Sequence, residues 1–120
     1  MNMEFRISSL YICVRDMERA IKFYESLLNK TVTEHDDVYS VFDIKGFRFG
    51  LFANEKVNEM HIYGDNCLPS FEVDNIKLVQ ERLLLLNCPI VFPLTNIKNK
   101  WVLEFADSEG NHIELTSPIK

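Results

Sequence analysis

Residues 9–30 read SLYICVRDMERAIKFYESLLNK, and the change of hydrophobic period inside this stretch decides the fold. From Ser8 to Val14 the chain alternates, with Leu10, Ile12 and Val14 on one side and Ser9, Tyr11 and Cys13 on the other. A period of two belongs to a half-buried strand. Beyond Asp16 the apolar residues Met17, Ala20, Ile21, Tyr24, Leu27 and Leu28 recur at helical spacing. Asp16 stands where a side-chain oxygen caps the first turn, and Asn29 where a left-handed residue closes the last.

Working outward, strands are expected around Thr31–His35, Tyr39–Ile44 and Phe47–Ala53, with Lys45-Gly46 as the turn between the last two. Residues 54–66 are a polar connector. The scheme then repeats. Pro69–Val73 reads as a strand, and Asp74 or Asn75 caps a helix running to about Asn87, where Cys88-Pro89 stops it. Strands fit Ile90–Leu94, Trp101–Phe105 and His112–Thr116, and Asp107–Asn111 is the turn before the last. Adding 59 carries Ile12 to Phe71, Asp16 to Asn75 and Leu27 to Leu86; adding 64 carries Gly46 to Gly110, Phe49 to Ile113 and Leu51 to Leu115. The difference between the offsets calls for a longer loop in the second half, most simply near Thr95–Lys100.

The expected fold class is α+β. Residues 1–120 form a single domain of two tandem βαβββ units, about 5–54 and 67–118. Together they make a curved mixed sheet with helices outside and a concave cleft. Period two sorts the residues between the faces. Leu10, Ile12, Val14, Phe47, Phe49, Leu51, Phe71, Val73, Ile113 and Leu115 belong against the helices. Ser9, Tyr11, Cys13, Arg48, Phe52, Ser70, Glu72, His112, Glu114 and Thr116 belong to the cleft, a mixed polar and aromatic set of the kind that lines ligand sites.

A net charge of −5 argues against a nucleic-acid partner, which would need a basic stripe. The start of the chain lacks a long apolar run, so neither a signal peptide nor a membrane anchor is expected. Cys13, Cys67 and Cys88 are too scattered for a zinc knuckle or a disulfide framework, and a reduced, cytoplasmic setting fits them. There is no Gly-rich phosphate loop and no nucleophile elbow.

The opening segment, with Val14, Asp16, Phe23, Tyr24 and Leu28, the segment SFEVDNI, and the closing ADSEGNHIELTSP, with Asp107, Gly110, Asn111, Ile113, Glu114 and Leu115, together resemble the vicinal oxygen chelate superfamily. This is the glyoxalase, bleomycin-resistance and extradiol dioxygenase group. In metal-using members, four cleft-facing side chains on the first and last strand of each unit hold a divalent ion. The resemblance carries those positions onto Ser9, Gly50, Leu68 and Glu114. Of these only Glu114 is a credible ligand, so no metal or other cofactor is expected.

The favoured function is metal-independent binding of a small organic molecule, as in bleomycin-resistance-type relatives, for which the resemblance implies a homodimer. Tyr11, Phe52 and Trp101 would supply stacking area; Arg48, Glu72, His112 and Glu114 would orient polar groups. Tyr39 is a further stacking candidate. Glu114 is the best candidate for catalysis, as a general base, and equally reads as a solvated carboxylate paired with Arg48 or His112. One alternative is a metal-dependent lyase, isomerase or dioxygenase of the glyoxalase type, with His35 or His61 recruited from loops. The other is an interaction or regulatory module with a filled cleft.

Overall fold

In the computed structural model, which describes residues 3–5, 7–64 and 67–119, the two period changes become two strand–helix passages. Strand β1 (Ser9–Cys13) leads into helix α1 (Met17–Leu28). The Asp16 carboxylate accepts the Arg19 N–H, and Asn29 ends the helix at a φ of 53°. Strands β2 (Tyr39–Ile44) and β3 (Phe47–Phe52) follow, then a short 3-10 turn at Asn54–Val57. The second half runs β4 (Ser70–Glu72), α2 (Ile76–Leu85), β5 (Ile90–Ile97), β6 (Lys100–Ala106) and β7 (His112–Pro118). Of the two possible caps for α2, Asn75 is the one used; its side chain accepts the Leu78 N–H.

The strands form a three-stranded sheet in the order β1-β3-β2 and a four-stranded sheet in the order β4-β7-β6-β5. Each is mixed: β1 runs parallel to β3, β4 runs parallel to β7, and the remaining pairs are antiparallel. Both offsets reappear in the ladders. Tyr11 pairs with Gly50 as Ser70 pairs with Glu114, and Cys13 pairs with Phe52 as Glu72 pairs with Thr116. The Val14 N–H reaches the Phe52 carbonyl just as the Val73 N–H reaches that of Thr116, both at 2.9 Å.

Two expectations are corrected. The strand around Thr31–His35 is reduced to a single bridge between Glu34 and Val41. The Asp36 carboxylate takes the N–H groups of Val38 and Tyr39, and the Ser40 hydroxyl takes that of Asp36, so local turn bonds displace a ladder. The extra residues near Thr95–Lys100 do not form a loop. They lengthen the β5–β6 hairpin, whose tight turn places Lys98 and Asn99 at positive φ.

One apolar cluster joins both halves. It takes Ala20, Ile21, Tyr24 and Leu27 from α1, Ile76 and Leu83 from α2, and Phe42, Phe49, Leu51, Leu103, Phe105, Ile113 and Leu115 from the sheets. Where the Asp107–Asn111 turn meets α1, the join is polar and buried. The Tyr24 hydroxyl donates to Asp107 at 2.6 Å, and the Asn111 amide donates to the Cys13 carbonyl at 2.8 Å. The Glu109 side chain, only 2% exposed, accepts the N–H groups of Arg15 and Asp16 and pairs with Arg19 at 2.7 Å. That is a buried carboxylate at a helix start, where the peptide dipoles favour negative charge. Among the described residues no helix is long and apolar enough to cross a membrane.

Candidate functional site

With the helices packed on one face of each sheet, the alternate residues stand on the other. On the first sheet β1 contributes Ser9, Tyr11 and Cys13, β3 contributes Arg48, Gly50 and Phe52, and β2 contributes Tyr39, Val41 and Asp43. Tyr11 and Gly50 are register partners, and the Tyr11 ring lies directly over the glycine. A Cβ at residue 50 would fall 2.2 Å from Tyr11 Cδ2 and 2.3 Å from Cε2. Glycine is therefore required here for close approach, not for backbone freedom. Around that ring the side chains are aromatic. Tyr39 meets Tyr11 edge-on at 5.5 Å, and Tyr39 and Phe52 stack at 4.6 Å with 3° between their planes. His61, from the connector, lies 6.2 Å from Phe52. Tyr11 and Tyr39 remain 39% and 46% exposed, so the platform is accessible. Beside it a cavity of about 180 Å³ is bounded by Tyr11, Cys13, His61, Ile62, Cys67 and Asn111.

Arg48 stands at the edge of this face. Its guanidinium forks onto Glu34 at 2.5 and 3.1 Å, not onto Glu72 or Glu114. The hydrogen bond to Glu34 and the nearby Tyr11 hydroxyl both hold Arg48 charged, and Arg48 in turn lowers the Glu34 carboxyl below its usual range. Burial first, and then Glu59, raise the Cys13 thiol above its ordinary value, so it stands as a neutral thiol and not as a nucleophile.

On the second sheet the equivalent face carries Ser70, Glu72, Glu104, His112, Glu114 and Thr116. The Ser70 hydroxyl donates to Glu114 at 2.6 Å. His112 Nδ1 approaches Glu104 at 3.2 Å, and Glu104 is the direct cross-strand neighbour of Glu114. Glu114 is thus partnered by serine, with histidine engaged one carboxylate away. Glu104 is a residue that the sequence reading passed over. Its signal was a single carboxylate in the apolar strand WVLEFA, two positions from Val102 on the outward parity.

Trp101 is a correction. It shares the parity of Leu103 and Phe105 and pairs with the buried Ser117, so it packs on the helix side with the Lys77 ammonium 5.3 Å from its ring. It is separated from the aromatic platform. His35 pairs with Glu18 on the surface at 2.7 Å.

The protein-family comparison matches residues 6–115 to the glyoxalase/bleomycin resistance protein/dioxygenase superfamily. The chain belongs to that superfamily. No curated protein matches it by sequence. Among solved structures it is similar to a glyoxalase/bleomycin resistance protein/dioxygenase from Nocardioides, with 17% identity over 100% of this chain and 87% of the other and a TM-score of 0.78. It is similar to a glyoxalase-related enzyme from Fulvimarina pelagi, with 14% identity, 93% and 87% coverage and a TM-score of 0.79. A lactoylglutathione lyase from Agrobacterium tumefaciens shows 14% identity, 97% and 96% coverage and a TM-score of 0.74. At these identities the likeness is one of fold.

The four positions onto which the resemblance carries the superfamily's metal ligands do not fit a divalent ion. Ser9 offers a neutral hydroxyl and pairs across to Arg48, Gly50 lies beneath a ring, Leu68 is an exposed aliphatic side chain, and Glu114 is held by Ser70. One carboxylate falls short of the several N and O donors such an ion demands. Among the described residues no three His, Cys, Asp or Glu side chains are grouped to hold a metal.

Proposed function

We propose that this chain binds a small, flat organic molecule on the aromatic face of its first sheet, without a divalent ion. The observation that carries the reading is the Tyr11 ring over Gly50. The place where a metal-using relative would present a ligand side chain is taken by a π surface, which Tyr39 extends and the buried Phe52 backs. Stacking on such a surface supplies apolar area with few rotors to freeze. Arg48, held charged and oriented by Glu34, is the group that would meet an anionic substituent. Glu72, His112 and Glu114 of the second sheet would read polar groups of a ligand bridging both units. The proposal includes a homodimer, supported by the exposed apolar side chains Val57, Met60 and Ile62 in the segment beside the platform.

A thermal-shift titration with benzoate and naphthoate, with and without chelator, tests this reading. Saturable stabilisation that chelator leaves unchanged and Tyr11→Ala weakens supports it; saturation near 100 times Kd corresponds to about 2.7 kcal/mol. Stoichiometric Ni, Zn, Mn or Fe in protein purified without chelator, together with binding lost on its removal, would instead establish the metal-dependent lyase or dioxygenase reading.

A further inference from the structure

The duplication is not symmetric at its two junctions. The junction of the Asp107–Asn111 turn with α1 is closed by Tyr24 on Asp107, Arg19 on Glu109 and Asn111 on the Cys13 carbonyl. The same two offsets turn these pairs into Leu83 with Asp43, Leu78 with Lys45, and Phe47 with Glu72. None can re-form. Leu83 has no hydroxyl, Lys45 brings a cation where Glu109 brings a carboxylate, and Phe47 has no amide. Asp43 instead accepts the Gly46 N–H at 2.8 Å inside its own turn.

Two cavities lie at this second junction, of about 320 and 200 Å³, sharing Ile44, Phe71 and Glu72 as walls. The larger is bounded also by Leu10, Phe47, Phe49, Pro69 and Ser70. The smaller reaches Leu28, Val79 and Arg82. The larger alone falls in the range of small-molecule sites. The walls of both are mainly apolar; Ser70 and Glu72 bring polar groups to the larger, and Arg82 brings a cation to the smaller. Arg82 gives one N–H to the Leu27 carbonyl at 2.6 Å and keeps the rest of its fork, and the Lys30 ammonium rests on the Asp43 carbonyl. Glu72 is exposed, so it can turn to solvent.

We propose that this unsealed junction is a binding site for an amphiphilic carboxylic acid, its apolar chain between Phe47, Phe71 and Val79 and its carboxylate on Arg82. The site lies away from the Tyr11 platform, since Leu10 and Phe49 have the strand parity opposite to Tyr11 and Gly50, although Ser70 and Glu72 reach it from the short strand β4. A guanidinium fork matches a carboxylate and has nothing to offer an amine.

Isothermal titration of the full chain with decanoate, decanol and decylamine, below their aggregation limits, tests the site. Decanoate is expected to bind saturably and roughly tenfold more tightly than the alcohol or the amine. Arg82→Gln should erase the preference over decanol. Val79→Phe, which fills the smaller cavity, should weaken decanoate roughly tenfold without lowering the melting temperature. Tyr11→Ala, on the other face, should leave it unchanged. No saturable decanoate binding up to about 1 mM, unchanged affinity in a folded Val79→Phe protein, preference for the amine, or loss of binding in Tyr11→Ala would each overturn the proposal. Should Val79→Phe not fold, Leu28→Phe lines the same cavity and is read in the same way.

Discussion

Replacing Gly50 by alanine puts the Tyr11–Gly50 contact to a quantitative test. The new Cβ would fall 2.2 Å from Tyr11 Cδ2, closer than any non-bonded carbon tolerates, so the ring must leave. Because Tyr11 is already 39% exposed, it can swing into solvent without breaking the core. The ring then loses its edge contact with Tyr39, worth about 1 kcal/mol. It also re-exposes roughly 60 Å² of apolar surface, about 1.5 kcal/mol. Against this, alanine in a strand is about 0.5–1 kcal/mol better than glycine. The net expectation is a destabilisation of about 1.5 kcal/mol. With Tyr11→Ala already present the obstacle is gone, and the same change at residue 50 should stabilise by about 0.5 kcal/mol. The two positions are thus coupled by about 2 kcal/mol, well beyond the roughly 0.5 kcal/mol scatter of independent sites. Urea unfolding followed by far-UV circular dichroism, on the wild type, both single variants and the double variant, measures this directly. A coupling below about 0.5 kcal/mol would refute the placement of the ring.

Other expectations follow from the join between the halves and from the thiols. Glu109→Gln should cost about 2 kcal/mol at neutral pH, since a buried carboxylate accepting charged and backbone donors is lost. Burial pushes Glu109 up, but Arg19 and the N–H groups of Arg15 and Asp16 outweigh it and hold its carboxyl below the usual glutamate range. A depressed folded pKa contributes stability that is present above the unfolded pKa and lost as pH falls through the folded one. The gap between wild type and Glu109→Gln in urea midpoints should therefore close on acidification below about pH 4, and a gap that widens there contradicts the assignment. Tyr24→Phe removes the donor to the buried Asp107 carboxylate, which burial already raises above the ordinary aspartate value; a loss of about 2 kcal/mol is expected in thermal melts, and no loss would mean the bond is absent. With iodoacetamide near pH 8, exposed Cys67 should be alkylated first and Cys88 last, its thiol being buried and pushed up to about 11 by desolvation and Asp107; mass spectrometry of the timed digest reads the order.

The fold was legible because three independent signals agreed within residues 9–30: an alternating strand, a helical stripe and a capping aspartate. The offsets then carried that agreement to the second half, where the ladders repeat them residue for residue. What escaped were choices made by local polar groups and by hairpin geometry. Nothing in the period of residues 31–35 shows that Asp36 will turn its carboxylate onto Val38 and Tyr39, and nothing in LTNIKNK shows that Lys98 and Asn99 will accept positive φ and extend two strands. For Trp101 the chemistry of the ring and its parity point to different faces; the alternation in WVLEFA puts it with Leu103 and Phe105 and leaves Glu104 facing outward. The Arg48 partner, Glu34, is not legible because it lies in the segment where turn bonds leave only a single bridge.

The two sheets show how one pair of positions can hold different chemistry. On the second sheet a small serine stands beside Glu114 and donates to it. On the first the equivalent pair is Tyr11 and Gly50, a large ring over no side chain at all. The volumes are complementary in both cases, and that complementarity locks each choice. A carboxylate placed at residue 50 alone would collide with the ring, and removing the ring alone would leave a bare glycine under open solvent. Placing a metal donor on the first sheet therefore takes two coordinated changes, whereas exchange among aromatic residues at 11, 39 and 52 takes one at a time and keeps the surface packed. On this physical ground the first sheet favours the metal-free stacking proposed above, while the second sheet carries its polar groups on Ser70, Glu104, His112 and Glu114.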